Sequence, residues 1–343
     1  VSRRVRTLAA SAVLLLVLVV LAATLRVPYV VLGPGPTYNT LGADDAGAPI
    51  IAIDGRTPNV TSGHLNLTTV SVRSQNVTVF EAIKGWLAGD QVVVPRETIY
   101  PPGRSTQDVN KANTQDFVNS QDSAETAAFC ELGYPQGLGV SSISAGSQAA
   151  GVLAVGDVLV SVAGTKLGDI ASLSALLGAT VPGQILDVGI QRRGADSTVQ
   201  VTLVAASDGT SGGRLGITVS TGCHAPFEVD LGLANSIGGP SAGLMFALGI
   251  IDMVGDTDLT GGKFIAGTGT INAAGDVGPI GGIPLKMIAA KRAGATVFLA
   301  PADNCGEVRD NTPAGLTVIK VDTLHGAIAD LKDLQTGGAI TTC

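Results

Sequence analysis

The sequence predicts an α+β protein behind an N-terminal membrane-spanning helix, with a small β-rich unit in the middle of the chain. Three observations carry that prediction. Arg3, Arg4 and Arg6 precede an apolar run over residues 8–25 in which Ser11 and Thr24 are the only polar side chains. Between about residues 132 and 206, short alternating segments are cut by glycine turns, the pattern of a small β unit. From residue 214 to 335, strand-like and helix-like segments follow one another without the strict rhythm of a parallel α/β fold.

Composition sets the outer limits. The 343 residues allow two modest domains. At 45% hydrophobic and 14% charged, the chain can build cores and is not a disordered polymer. The formal net charge is −7 and no long basic run follows the N-terminus, which argues against a nucleic-acid partner. At 1.5 Å per residue the apolar run reaches roughly 27 Å, close to a bilayer's hydrocarbon thickness. The basic flank belongs on the cytoplasmic side, so the expectation is a single-pass cell-membrane protein with its bulk outside (residues 1–26 as tail and anchor). A cleavable signal peptide is the competing reading, although the run is long for one.

Cys130, Cys223, Cys305 and Cys343 have no CxxC spacing, and His64, His224 and His325 have no ligand spacing, so neither a metal nor a cofactor is expected. An extracytoplasmic location permits disulfides. Three pairings are open to four cysteines; Cys223–Cys305 is the expected bridge because both fall in the C-terminal unit.

Residues 27–131 read as an extracytoplasmic N-terminal region. "VLGPGPTYNTLG" is a turn-laden linker and "HLNLTTVSV" alternates like a strand. "TVFEAIKGWLAG" is a short amphipathic helix with Phe80, Ile83 and Leu87 on one face. "VVVPRETIYPPGRS" breaks any helix, and residues 106–132 are helical with polar side chains dominating.

Residues 132–206 form the β unit. "GDVLVSVAGTKL" is strand, turn, strand; "IASLSALLG" is a helix; "QILDVGIQRRGADSTVQVTLV" is a hairpin. With "GLGVSSISAGSQAAG" these segments resemble a PDZ domain. The resemblance implies that Gly137, Leu138, Gly139 and Val140 form a loop whose N–H groups hold a peptide terminus. A peptide would then add as a strand beside residues 140–144, against the helix at 172–177.

In the C-terminal unit, "IGGPSAGLMFALGIID" places Ser241 between glycines at the mouth of a buried helix. A cap is the ordinary role for such a serine. A nucleophile is the alternative, since small neighbours admit a substrate backbone and the helix N-terminus favours a developing oxyanion. Pro240 has no N–H, so oxyanion donors must come from Ser241 itself and from Gly239 or Gly238. The hydroxyl needs a base. His325 with Asp303 or Asp322 would give a hydrolase triad in the order serine, acid, histidine. Yet the segment before Ser241 reads as loop, not as the strand such an elbow needs.

Lys286 is the other base. It lies in "GPIGGIPLKMIAAKRAG", on a helix with Pro284 in its first turn and Gly294 as its stop. It shares a stripe with Ala289, Ala290 and Ala293, which let another element pack close and exclude water. Lowering its pKa to about 7–8 takes on the order of 4 kcal/mol of desolvation.

"GGPSAG", "TGTINAAGDVGPIGG" and the Lys286 segment together resemble the proteolytic domain of Lon-type proteases. The resemblance implies Ser241 as nucleophile, Lys286 as general base and Thr268 as the residue that orients the lysine. No GxxxxGK[ST] phosphate loop occurs in these residues. Anchor, β unit and Lon-type domain in this order resemble the membrane-anchored, PDZ-containing Lon-like proteins of bacteria. The function this implies is an ATP-independent, membrane-tethered serine endopeptidase. Its partners would be unfolded or flexible polypeptides and, at the β unit, peptide termini; assembly into homo-oligomers is left open. The alternative is a peptide-binding PDZ protein on a non-catalytic Lon-like scaffold.

Overall fold

The computed structural model describes residues 3–74, 77–144, 146–192, 195–206, 211–233 and 237–343. The helix Arg3–Thr24 is long and apolar enough to cross a membrane, and none of its residues is buried against the rest of the chain.

The C-terminal unit is built on a six-stranded mixed sheet. Its order is Thr317–Val321, Val297–Pro301, Phe264–Gly267, His64–Arg73, Tyr29–Asn39, Val92–Pro95. The first four strands run parallel and the last two pair antiparallel. Three of the six strands therefore come from residues 27–131, which the sequence set apart as a separate region. A further N-terminal strand, Ile51–Asp54, pairs with Glu228–Leu231. The expected linker "VLGPGPTYN" is strand, and its pairing with His64–Arg73 slips register between Pro34 and Thr37.

Side chains alternate across a sheet, and here the alternation separates two cores. Leu65, Leu67, Ile265, Leu299 and Ile319 face one side, where the helix Gly243–Val254 is buried almost all round. Ala266, Phe298, Ala300 and Val318 face the other, with Ile283, Met287 and Ala290 of the helix Ile283–Ala293. The serine-bearing and lysine-bearing segments thus lie on opposite faces of one sheet. They meet past the end of the strand Phe264–Gly267.

The middle unit has its own sheet, in the order Ile217–Cys223, Gln136–Ile143, Val158–Val162, Ile185–Arg192, Ala195–Thr202, with Thr165–Lys166 paired to the third of these. The helix Ile170–Gly178 packs Leu173 and Leu177 into its core. The expected hairpin is there, with Arg192 opposite Ala195; its tip, residues 193 and 194, lies outside the described residues. The first strand of this sheet comes from residues 217–223, beyond the boundary expected at 206 and inside the range given to the C-terminal unit. Part of the expected joint, residues 207–210, lies outside the described residues.

The expected Cys223–Cys305 bridge is wrong. Cys223 pairs with Cys130, and Cys305 pairs with Cys343. The chain passes into the middle unit just after Cys130 and leaves it at Cys223, where Cys223 sits opposite Gln136 in the ladder. The His224 N–H donates to the Pro135 carbonyl at the same place. Cys343 is brought to Cys305 by the C-terminal tail, which lies along the strand Thr317–Val321; the Lys320 N–H donates to the Thr341 carbonyl.

Candidate active site

Gly239 has φ +85°, a left-handed conformation that favours glycine, and it turns the chain sharply before Pro240 and Ser241. The helix Gly243–Val254 begins two residues later with Ala242 as its N-cap and no side-chain capping bond. Ser241 therefore does not cap the helix. Its carbonyl accepts from the Gly269 N–H at 2.9 Å and from the Thr268 hydroxyl at 2.9 Å. Its Oγ stays half-buried beside the lysine.

Lys286 is in the first turns of the helix Ile283–Ala293, which starts after a left-handed Gly282, carries Pro284 at its beginning and ends on a left-handed Gly294. The lysine is 3% exposed. Its Nζ lies 2.7 Å from Ser241 Oγ and 2.8 Å from Thr268 Oγ1. Burial disfavours the ammonium and lowers the pKa of Lys286 to about 7. Ala289 and Ala290 of the expected alanine stripe are buried, whereas Ala293 is exposed. Thr268 is fully buried just past the strand Phe264–Gly267; its N–H donates to the Leu299 carbonyl, which fixes the hydroxyl between lysine and serine.

Ser241 opens on a cleft of about 960 Å³. One wall is the strand His64–Arg73. That strand pairs with Phe264–Gly267 only as far as Leu67, and residues 68–72 line the cleft beyond it. Ile237, Pro279 and Ile280 line it as well. Asn304 accepts from the Ile280 N–H at 3.0 Å and donates to the Ile280 carbonyl at 2.9 Å, so this loop is clamped.

Two residues of the polar helix Thr106–Glu131 hold the serine turn, a role that sequence reasoning missed. Ser120 Oγ donates to the Pro240 carbonyl at 2.9 Å, and the Asn113 carbonyl accepts from the Gly239 N–H at 2.8 Å. Gly239 as an oxyanion donor is thereby corrected, because its N–H is already spent on the helix. Among the described residues the Ser241 N–H has no hydrogen-bond partner. The pattern Asn113, Phe117, Ser120, Ala124 has helical spacing and was the available signal.

The histidine alternative fails on position. The His325 side chain is 82% exposed and pairs with Glu131 at 2.7 Å. Asp322 pairs with Lys320. Neither His325, Asp303 nor Asp322 lines the cleft.

The loop expected at Gly137, Leu138, Gly139 and Val140 is likewise corrected. These four residues are in the strand Gln136–Ile143, between Ile217–Cys223 on one side and Val158–Val162 on the other. The Gly139 N–H donates to His224 Nε2 at 3.1 Å and the Val140 N–H to the Asp157 carbonyl. A Cβ on Gly139 would run into the His224 ring, and one on Gly137 into Val158, so both glycines serve packing. One edge strand of this sheet is Ile217–Cys223. Beside it Ile217, Val219, Leu173 and Leu177 line a cleft of about 500 Å³.

Residues 232–331 match the family model described as the Lon protease (S16) C-terminal proteolytic domain. A Lon protease of Azospirillum brasilense is 39% identical over 105 residues, covering 28% of this chain and 13% of that protein. A Lon protease of Roseiflexus castenholzii is 42% identical over 72 residues, covering 21% of this chain and 9% of that protein. The chain thus spans a small part of the length of the curated relatives it matches. Among solved structures, the PDZ domain of an SdrC-like protein from Listeria monocytogenes is 21% identical, covers 24% of this chain and 86% of that one, and has a TM-score of 0.23. Residues 232–331 are thus similar to Lon protease (S16) C-terminal proteolytic domains.

Proposed function

We propose that this chain is a membrane-tethered serine endopeptidase in which Ser241 is the nucleophile and Lys286 the general base. The observation that carries the reading is the 2.7 Å contact between the serine hydroxyl and an amine that is 3% exposed. A neutral amine accepts the Ser241 proton as Oγ attacks a peptide carbonyl carbon. It then returns that proton to the leaving amine nitrogen, leaving the acyl group on Ser241. A water, deprotonated by the same amine, releases the acyl group and restores the hydroxyl. The Thr268 hydroxyl accepts from Lys286 and keeps its lone pair aimed at Ser241. The Ser241 N–H at the mouth of the 12-residue helix Gly243–Val254 supplies one donor for the oxyanion.

The substrate is an extended polypeptide. Residues 68–72 offer a strand edge to the cleft, and a substrate strand laid on that edge brings its scissile bond to Ser241. In this reading the site acts without ATP, on chains that arrive unfolded and can lie extended along that edge. The helix Arg3–Thr24 tethers the enzyme to the membrane. In the middle unit, the site for a peptide terminus is the groove between the edge strand Ile217–Cys223 and the helix Ile170–Gly178, not residues 137–140.

The test is cleavage of unfolded casein and acylation by a fluorophosphonate, followed across pH. Activity rises with pH through about 7 as the amine loses its proton. Ser241→Ala and Lys286→Ala abolish both reactions, and His325→Ala leaves them intact. Cleavage that survives Ser241→Ala defeats the proposal. A folded wild-type chain that cleaves nothing while binding peptides favours the scaffold reading.

A further inference from the structure

The helix Val79–Leu87 keeps an apolar face that none of the described residues covers. A capping box holds its N-terminus: Thr78 Oγ1 accepts from the Glu81 N–H, and the Glu81 carboxylate accepts from the Thr78 N–H. Its inner face is narrow, with Gly85 set against Val31 and Val93 of the sheet. At 100° per residue, Trp86, Ile83, Leu87 and Phe80 fall within one arc of about 120° on the outer side. Trp86 is 80% exposed and Leu87 77%, and Ile83 and Phe80 are exposed with them. Amphipathic spacing ordinarily marks a face turned to a core; here the face is turned away from it.

The partner follows from what the helix is joined to. The Leu25 carbonyl, at the end of the anchor, accepts from the Val79 N–H, and the Val27 N–H donates to the Val77 carbonyl. Arg26 bridges to Thr78. The helix therefore starts where the anchor stops, and the nearest apolar phase is the bilayer that the anchor enters. Exposed Arg26, Arg73 and Lys84 border the patch with charges suited to lipid phosphates. A tryptophan at the rim of an apolar face suits the headgroup level, where the ring is buried and its N–H stays wet.

We infer that Val79–Leu87 lies in the lipid–water interface, with Trp86, Ile83, Leu87 and Phe80 sunk into the bilayer surface. The inference rests on the reading that Arg3–Thr24 spans the membrane. It also fixes where the protease works. Arg73 of the strand His64–Arg73 pairs with Glu81 at 3.8 Å, and residues 68–72 of that strand are a wall of the cleft. A helix held in the interface holds that wall beside the membrane, so the substrates are polypeptide segments close to the bilayer surface.

Trp86 is the only tryptophan, so the fluorescence of the full chain reports on this face alone. The full chain is reconstituted into phosphatidylcholine vesicles, with or without lipid brominated near the top of its acyl chains. A ring buried about 5–10 Å into the interface loses about half or more of its emission to the brominated lipid and little to iodide present on both sides. Phe80→Ser/Leu87→Ser lifts the helix and halves the quenching by brominated lipid. Quenching by iodide alone overturns the inference, and shielding from both quenchers overturns it in favour of a protein partner. Resistance to alkaline carbonate extraction reads the anchor separately. A retained chain with iodide-quenched Trp86 loses only the interfacial helix, whereas an extracted chain loses the anchor as well.

Discussion

Lys286 takes its amine into the core with hydroxyls for company, and among the described residues it makes no ion pair. That arrangement has a stability consequence. Its pKa falls from the ordinary lysine value of 10.5 to about 7, so between those values the folded chain binds fewer protons than the unfolded one. Stability therefore rises with pH across that window, and the full penalty is felt below about pH 7. At about 1.4 kcal/mol per unit the penalty is about 4–5 kcal/mol. Lys286→Met removes it and gives back about 1 kcal/mol for each hydroxyl left without its partner. The expected outcome is a catalytically dead variant with a higher urea midpoint at pH 7 than the wild type, the gain shrinking toward pH 10. A variant destabilised equally at both pH values shows that the amine is not desolvated. At this scale the sequence was informative, because a serine among glycines and a lysine among alanines are unusual placements. Which backbone N–H groups beside Ser241 are free was not legible. Whether the Gly239 N–H is free depends on Asn113, which is 126 positions away, and the helical spacing of Asn113, Phe117, Ser120 and Ala124 marks a face without naming what that face meets.

Elements were legible where their pattern is local. The helix Ile283–Ala293 has its proline start and glycine stop, and Val297–Pro301 reads as the continuous apolar run of a buried parallel strand. What local pattern does not give is pairing. His64–Arg73 lies beside Phe264–Gly267, a partner 200 residues away, and nothing in either segment names the other. For the same reason Gly137 and Gly139 read as a ligand loop. Their neighbours, Val158 and His224, are invisible in the local sequence. The helix Thr106–Glu131 shows in the sequence as a helix with polar side chains dominating, and that composition does not tell which of those side chains bond to the rest of the chain. Two of them hold the serine turn and a segment before it: Ser120 Oγ donates to the Pro240 carbonyl, and Gln121 donates to the Leu231 and Gly232 carbonyls. Ser120→Ala leaves the Pro240 carbonyl, next to Ser241, without its donor. The expected cost is about 1 kcal/mol in stability, with kcat falling more than KM changes, since the loss is in the placement of Ser241. Unchanged kcat in a folded variant means that the turn holds itself.

For the whole molecule, the decisive feature is how the C-terminal unit and the middle unit are kept together. The middle unit has a hydrophobic cluster of its own, and the chain passes into and out of it at one point. There Phe129, Tyr134 and Phe227 contact one another edge-on with centroids 5.5–5.8 Å apart, and the Arg56 guanidinium stands over the Phe227 ring. The Cys130–Cys223 bridge closes a loop over 93 positions at this same joint. In the chain-entropy description such a closure contributes about 4–5 kcal/mol. The middle unit sits inside that loop, so the bridge constrains its unfolding as well as its attachment. Cys130→Ser/Cys223→Ser leaves the ring cluster in place, and both cores can still form. The expected result is separate melting of the two units in calorimetry, with the middle unit lost first and fluorophosphonate labelling of Ser241 retained until the second transition. Cys305→Ser/Cys343→Ser acts differently, because Asn304 clamps the Ile280 loop at the cleft and the neighbouring bridge fastens the helix Cys305–Asn311 to the tail. That variant is expected to lose labelling before either core melts. A single cooperative transition in both variants, with labelling lost together with it, refutes this division of labour between the two disulfides.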